Sequence, residues 1–577
     1  MRPLIWEHLA CDAAHAAGLA SDLGVQPVIA RLLCLRGLDE PEAAARFLRP
    51  SLDHLHDPFR LSGMAAAVDR LLGAVARRER IAIHGDYDVD GITATVILRR
   101  TLELLGGDVV HFIPERIRDG YGLQTEAVDR LHAGGAAVIV TVDCGIRGND
   151  AARRARDLGV DLIITDHHEP DPALPPALAV INPKRGDCSY PDKDLAGVGV
   201  ALKLVHALCR RTGHENWLPG CVKMAAIGTL ADVVPLVGEN RVIAKLGLEM
   251  LSRGPHKVGL RALLEACGLS GRAIDSYHVA FMLAPRVNAA GRMSTPEIAM
   301  RLLLASDEAM ASEARELAAQ LNHENLRRQQ EEQEILSQAR RLVESDPAIG
   351  ARAVLVVAGE GWHRGVIGIV ASRLVDAFFR PVIVLSIEDG VAHGSCRSIP
   401  SFDILAALER CGGHLNRFGG HRQAAGLTID AARIPAFREA VVQCAEDMLG
   451  PDDLRPRLRI DSRLAFGEIT ARMVEQVASL EPFGIGNPRP VFHAAGVQVV
   501  DGPRRLKDRH LKMALRQGSR TFRAVAWRAG DREPFFQEHR SSLDVAFSLV
   551  QSEYNGQVAV EFSVTDARAP GLADDPQ

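Results

Sequence analysis

Between Arg80 and Pro183, runs dominated by Val and Ile alternate with amphipathic stretches. RIAIHG (80–85), DVVHFIP (108–114), AAVIVTVD (136–143), VDLIITD (160–166) and ALAVINP (177–183) read as strands. TATVILRRTLELLG (93–106), TEAVDRLHAGG (125–135) and AARRARDLG (151–159) read as the helices between them. A strand that is apolar at nearly every position has no side left for water. It must be covered on both faces, as in a parallel sheet with crossover helices. This region is therefore expected to be an α/β parallel-sheet domain.

At 577 residues the chain is too long for one core and should divide into several domains. Residues 1–60 read as short helices with a Pro-containing loop, and 61–307 as the parallel-sheet domain. Residues 308–344 are charged, helical and free of Gly and Pro, and read as one long connector helix. A smaller α/β unit follows over 345–450, with strands in ARAVLVVAGEG, PVIVLS and VAHGSCRS. From 451 to 577 the pattern changes to short strands, as expected of a small closed barrel of the OB type.

Composition narrows the class. Hydrophobic content of 47% and charged content of 24% are ordinary for a soluble globular protein. The ten Cys are scattered without a CxxC pair, which argues against a disulfide framework and a structural zinc site and fits a reducing cytoplasm. Glu7 and Asp12 interrupt the apolar N-terminal stretch, so no signal peptide is expected, and no run approaches the ~20 apolar residues of a membrane span. No G-x-x-x-x-G-K-[ST] loop is present, which excludes that class of nucleotide motor.

The acids are placed more tellingly than they are counted. In IHGDYDVDG (83–91) Asp86, Asp88 and Asp90 alternate directly after a strand. Acids that close raise one another's pKa unless a cation sits among them. Asp143 ends a second strand, Asp166, His167 and His168 follow a third, and Asp232 closes the helical segment PGCVKMAAIGTLADVVPL. Ligands of open α/β sheets bind outside the carboxyl ends of the strands. His84, in His-x-x-x-Asp-x-Asp, is a further donor. So many Asp and His groups exceed the needs of one ion, whereas two ions sharing a bridging Asp would use them. Carboxylate and imidazole ligation without Cys suits Mn²⁺, with Mg²⁺ as the alternative. Such a pair acidifies a water nucleophile and screens charge on a transferring phosphoryl group.

Cationic groups suggest a substrate path. Arg116, Arg118 and Tyr121 lie in IPERIRDGYG, and Arg286, Asn288 and Arg292 in LAPRVNAAGRM. Arg forks suit phosphate oxygens. Between Arg504 and Arg528, nine Lys/Arg face a single acid, Asp508. Arg504, Arg505 and Lys507 with Phe522 and Trp527 are the expected single-strand contacts, cations for phosphates and aromatics for stacking.

HGDYDVDG, TVDCG, TDHH and GTLADVVPL together resemble the four motifs of the DHH phosphoesterase superfamily. GWHRGVIGIVASRL (361–374), GSCRS (394–398) and GGHRQAAG (419–426) resemble the DHHA1 domain. In this order, with the connector and the barrel, the set resembles the bacterial RecJ family from about residue 50 to 565. The resemblance implies a 5′→3′ exonuclease on single-stranded DNA that releases 5′-mononucleotides. It implies metal ligands at His84, Asp88, Asp90, Asp143, His167 and Asp232, with His168 on the scissile phosphate and Asp86 in a supporting role. It also implies a cytoplasmic repair and recombination enzyme, expected to be a monomer, aided by single-strand-binding protein and a RecQ-type helicase. Ser395, Arg397 and His421 are the expected holders of a 5′-terminal phosphate. Small-molecule phosphoesterases of the superfamily share the metal motifs but are usually shorter and lack a basic barrel. Non-enzymatic scaffolds of the fold have lost the metal residues.

Overall fold

The computed structural model describes residues 4–116, 118–554 and 557–571. They form two compact units. One comprises residues 56–232 and 247–455; the other gathers 1–55, 233–246 and 456–577.

The first unit holds two sheets. The larger is parallel and five-stranded, in the spatial order Asp108–Phe112, Arg80–Gly85, Ala136–Val142, Asp161–Thr165, Ala179–Ile181. From Ile81 to Ile83 and from Val138 to Val140 no side chain is exposed, because helices cover both faces. The order reverses between Arg80–Gly85 and Ala136–Val142, so the crevice at their carboxyl ends is the switch point where α/β sheets bind ligands. The smaller sheet is mixed, in the order Arg417–His421, Ala424–Asp430, Val391–Arg397, Val382–Glu388, Leu355–Glu360. The GGHRQAAG stretch is the hairpin joining its first two strands.

Helix Ala311–Ser345 joins the two sheets' domains and is more than a spacer. Ala314, Leu317, Ala318 and Leu321 repeat at helical spacing and bury its first half against helices Val258–Ala266, Ala284–Met293 and Glu297–Leu304. Ile335, Ala339 and Val343 bury its second half against Ile367–Phe378 and Leu355–Glu360. Its middle carries Arg328, bonded to Asn325 and Glu332.

The second unit is built around a six-stranded sheet that curls until Phe492–Leu506 pairs with Leu543–Tyr554. Phe492–Leu506 is a strand of 15 residues where the sequence pattern suggests only short ones. The N-terminal segment carries a strand as well as helices: Ile5–His8 pairs in parallel with Arg457–Ile460. Ile29, Leu32, Leu33 and Phe47 from its helices share one core with Phe492, Phe536, Phe547 and Phe562 of the barrel. Arg241, in the 233–246 segment, is 1% exposed and faces no carboxylate among its bonds. It donates to the carbonyls of Phe47, Ser479, Leu480 and Glu481 and lies 3.6 Å over the Phe47 ring. Burial brings its pKa down to about 9.

Candidate metal and nucleic-acid site

The switch-point crevice collects the acids of three strand ends and one helix end. Asp88 caps helix Val89–Leu104, accepting from Asp90 N at 2.9 Å and Gly91 N at 3.1 Å. Asp90 points the other way, into the N-terminus of helix Gly197–Thr212, whose Gly197 and Val198 N–H groups donate to its two oxygens at 2.7 Å each. That helix end favours the anionic form. Asp143 sits in the left-handed region at φ 62°, unusual for a residue other than Gly. A Cβ on Gly197 would stand 2.3 Å from Asp143 Oδ1, so only Gly permits this helix to approach the strand end. Asp232 caps the C-terminus of helix Leu218–Ala231.

Their donor atoms converge. Asp86, Asp88 and Asp143 form one group whose oxygens lie within 4.8 Å of one another; Asp90, His167 and Asp232 form a second; Asp143, His167 and His168 a third. His167 Nε2 stands 3.1 Å from Asp143 Oδ1, 3.7 Å from Asp232 Oδ2 and 4.0 Å from Asp90 Oδ2. Asp86 Oδ1, Asp143 Oδ1 and Asp232 Oδ2 are buried atoms without a hydrogen-bond partner. Burial, then the charges of Asp232 and Asp88, hold the Asp90 carboxyl far above the usual range; burial and the four neighbouring acids do the same to Asp143. Buried polar atoms are ordinarily paired. Unpaired oxygens among crowded acids fit divalent metal, and the all-O/N donor set fits a hard or borderline ion.

The expected residues are held in different ways. His84 belongs to none of the three groups. Its ring is fully buried, with Nδ1 3.5 Å from Cys144 Sγ and Nε2 unpartnered, and burial lowers its pKa to about 4. Asp86, expected only to support, offers an unpartnered oxygen inside the first group. Asp166 is saturated instead: it accepts from the backbone N–H groups of Ile146, His167 and His168, and His168 Nδ1 is 2.7 Å away. Burial pushes the His168 ring pKa down, but the Asp166 bond and charge outweigh it and the net shift is upward. The other ring nitrogen, Nε2, lies 3.2 Å from the Tyr121 hydroxyl.

A cavity of about 180 Å³ opens on this cluster, lined also by Arg116, Asn288 and Arg292. Arg116, Tyr121 and His168 also line a larger cleft, about 750 Å³, over the smaller sheet. That cleft collects Arg364, His393, Ser395, Arg397, Arg417 and His421. The Arg397 guanidinium donates to Cys396 O at 2.7 Å and Ser395 Oγ at 3.3 Å; Asp403 instead caps its own helix. Arg364, His393 and Arg417 join it from elsewhere: His393 lies two residues before Ser395 on the same strand, Arg417 on the edge strand, and Arg364 in the loop of GWHRGVIGIVASRL between a strand and a helix. Arg118 is engaged with Asp119 and Glu115. Arg286 does not reach either cavity: its guanidinium bonds Asn322 of the long helix at 3.0 Å and Met282 O at 2.6 Å. The sequence could not show that its fork was already taken.

On the barrel, Trp527 is 57% exposed, but Phe522 is not a free platform. It packs on the core, stacked 4.6 Å from Phe562, because alternate residues of its strand face inward. Arg504 pairs with Asp501 and Arg505 with Glu533, while Lys507 is exposed at a turn with φ 49°.

Family models match in three blocks: the DHH family N-terminal domain over residues 80–229, the DHHA1 domain over 351–447 and the RecJ OB domain over 460–566. The chain is 38% identical to the single-stranded-DNA-specific exonuclease RecJ of Bacillus subtilis over 567 residues, covering 97% of this chain and 70% of that protein. This chain belongs to the RecJ family. The RecJ of Escherichia coli is 35% identical, with 87% of this chain and 89% of that protein covered. A crystal structure of Thermus thermophilus RecJ in complex with Mn²⁺ superposes with a TM-score of 0.84 at 35% identity, covering 99% of this chain and 81% of that one. A Mg²⁺ complex from the same organism gives 0.78. Among the described residues no helix is long and apolar enough to cross a membrane.

Proposed function

We propose that this RecJ-family chain is a single-stranded-DNA-specific exonuclease that hydrolyses phosphodiesters from the 5′ end and releases 5′-mononucleotides. The observation that carries the reading is continuity: Arg116, Tyr121 and His168 line both the acid cavity and the cationic cleft. A strand lying in the cleft would meet the acids without leaving a cationic path. Asp86, Asp88, Asp90, Asp143, His167 and Asp232 would hold two Mn²⁺ ions, or Mg²⁺, with Asp143 between them. When bound, such a pair supplies Lewis acidity, acidifying a water and screening charge on the phosphoryl group.

The protein's own groups do the positioning. Asp166 fixes the His168 ring through Nδ1, and Nε2, now 3.2 Å from the Tyr121 hydroxyl, would meet a phosphate oxygen beside that hydroxyl. Asn288 accepts from Val89 N at 3.1 Å and so holds the turn that carries Asp88. Direction needs a contact that recognises an end, since every linkage looks alike to the acids. Ser395, Arg397 and His421 supply it, holding a 5′-terminal phosphate while the next linkage lies over the acid cavity. Trp527 and the exposed barrel cations offer stacking and phosphate contacts to single-stranded DNA. Action as a cytoplasmic monomer, recruited by single-strand-binding protein and a RecQ-type helicase, belongs to the same reading and rests on family resemblance.

Digestion of 5′- and 3′-labelled single strands with Mn²⁺ or Mg²⁺, with duplex and RNA controls, tests the activity. Loss of 5′ label first, as mononucleotide, is expected. Preference for dinucleotides over long strands would point to the small-molecule phosphoesterases instead. Arg397→Ala should shrink the preference for 5′-phosphorylated over 5′-hydroxyl strands; a preference kept in full removes Arg397 from the end-binding role.

A further inference from the structure

The N-terminal segment of the barrel unit contains a second convergence of metal-binding side chains, of a different chemical kind. His15, Cys34 and Asp39 each offer a ligand atom within 4.8 Å of the others. The Cys11 thiol lies near enough to raise the Cys34 pKa, after burial, and its Sγ is 3.6 Å from Asp12 O. His15 Nε2 lies 3.2 Å from Asp39 O and 3.9 Å from Asp39 Oδ1.

The local fold brings His15, Cys34 and Asp39 together and sets Cys11 near Cys34. Asp12 caps helix Ala13–Leu23, accepting from Ala14 N and His15 N, which sets Cys11 just ahead of the first turn and His15 within it. Gly24 ends that helix in the left-handed conformation, and the chain turns back. Cys34 is the last residue of the returning helix Pro27–Cys34, and Asp39 lies in the loop beyond it. The pattern is therefore Cys-x₃-His at the start of one helix and Cys-x₄-Asp at the end of the next. A search for CxxC pairs misses it, because the two thiols are brought together by the hairpin rather than by the chain.

We propose that Cys11, His15, Cys34 and Asp39 form a metal site for a borderline-soft divalent cation of the zinc class. Two thiolates, an imidazole and a carboxylate are a four-coordinate donor set of the kind Zn²⁺ takes. Thiolate ligands select against Mg²⁺ and Mn²⁺, the ions suited to the acid cavity. The site would act as a clip. Helix Pro27–Cys34 buries Ile29, Leu32 and Leu33 in the barrel core, and Arg31 donates to Asp461 O at 2.8 Å. Tying both ends of the hairpin would hold that apolar face in place against the barrel.

Cobalt substitution tests this on the full chain, purified under reducing conditions and stripped with chelator. One equivalent of Co²⁺ should give thiolate-to-cobalt charge-transfer absorption with tetrahedral d–d bands, removed by one equivalent of Zn²⁺. The Asp/His groups of the acid cavity include no thiol, so this absorption reports the hairpin site. It should vanish in the Cys11→Ser/Cys34→Ser variant. In Asp39→Asn, which keeps both thiols and changes an exposed position, it should need at least about tenfold more Co²⁺. Nuclease activity at saturating Mn²⁺ should be unchanged in both variants. Absence of the absorption in the wild type, its survival in the double Ser variant, unchanged cobalt affinity in Asp39→Asn, or recovery of Cys11 and Cys34 as a disulfide from the reducing preparation would each overturn the assignment.

Discussion

The sheet edge and the barrel both attract attention by their charge, but they carry it differently. At the sheet edge the charged groups are buried and incomplete: Asp86 is 4% exposed, with one oxygen unpartnered. On the barrel the cations are exposed and several are already neutralised, as Arg504 is by Asp501. A fold that keeps unpaired carboxylates out of water bears a cost that a bound cation or a proton must relieve. A solvated ion pair costs nothing to keep and needs no ligand to explain it. Counting charges along the chain treats the two alike; burial and pairing separate them.

The comparison can be broken most sharply at Asp143. Asp143→Ala should reduce cleavage by more than the ~10–100-fold typical of lost supporting contacts at metal sites, while single-strand affinity is retained. Without metal, the raised carboxyl pKa values mean that the folded state binds more protons than the unfolded chain. Stability in chelator should therefore fall as pH rises above the ordinary carboxylate range. Asp143→Ala should flatten that fall. Near-normal turnover at saturating Mn²⁺, or a pH-independent melting temperature in chelator, would show that the acids are not held against repulsion.

Asp166→Asn comes next. Its carboxylate touches no cavity cation but fixes three backbone N–H groups and the His168 ring, so a loss of about 10–100-fold in turnover is expected with metal stoichiometry intact. Equal losses of metal binding and turnover would make it a ligand instead. Two aromatic substitutions then separate the barrel's inside from its outside. Phe522→Ala should destabilise the barrel unit by about 3 kcal/mol through lost packing, measured by denaturant unfolding. Trp527→Ala should leave stability nearly unchanged and weaken single-strand affinity by about 1–3 kcal/mol. An exchange of these two outcomes would reverse the assignment. The smallest effect is expected among the cations. Lys507→Ala should lower the slope of log affinity against log salt by about 0.7, and Arg505→Ala by less, since Glu533 already answers its charge.

Those pairs also mark how far the sequence could be read. The strands and the acids at their ends were legible, because an apolar run such as AAVIVTVD must be covered on both faces and its last residue emerges at the sheet edge. Asp232 was legible for the same reason, as the end of a helix of small residues. Arg286 and Phe522 were misjudged because pairing and facing depend on neighbours distant in sequence, Asn322 in one case and Phe562 in the other. The hairpin GGHRQAAG and the long strand Phe492–Leu506 were hidden by glycines that normally signal turns. The strand Ile5–His8 was too short to declare itself without its partner at Arg457–Ile460.

That last pairing has a consequence for biosynthesis. Trp6 Nε1 donates to Asp566, 560 residues away in sequence, and the first helices bury their apolar faces in a core whose other half is translated hundreds of residues later. At elongation rates of about 5–20 residues per second, the N-terminal helices leave the ribosome roughly half a minute to two minutes before their partners exist. Through that interval Leu32, Leu33 and Phe47 have no native core to enter. A nascent chain stalled before residue 456 should therefore be a client for chaperones, and a message truncated there should yield aggregate rather than a smaller nuclease.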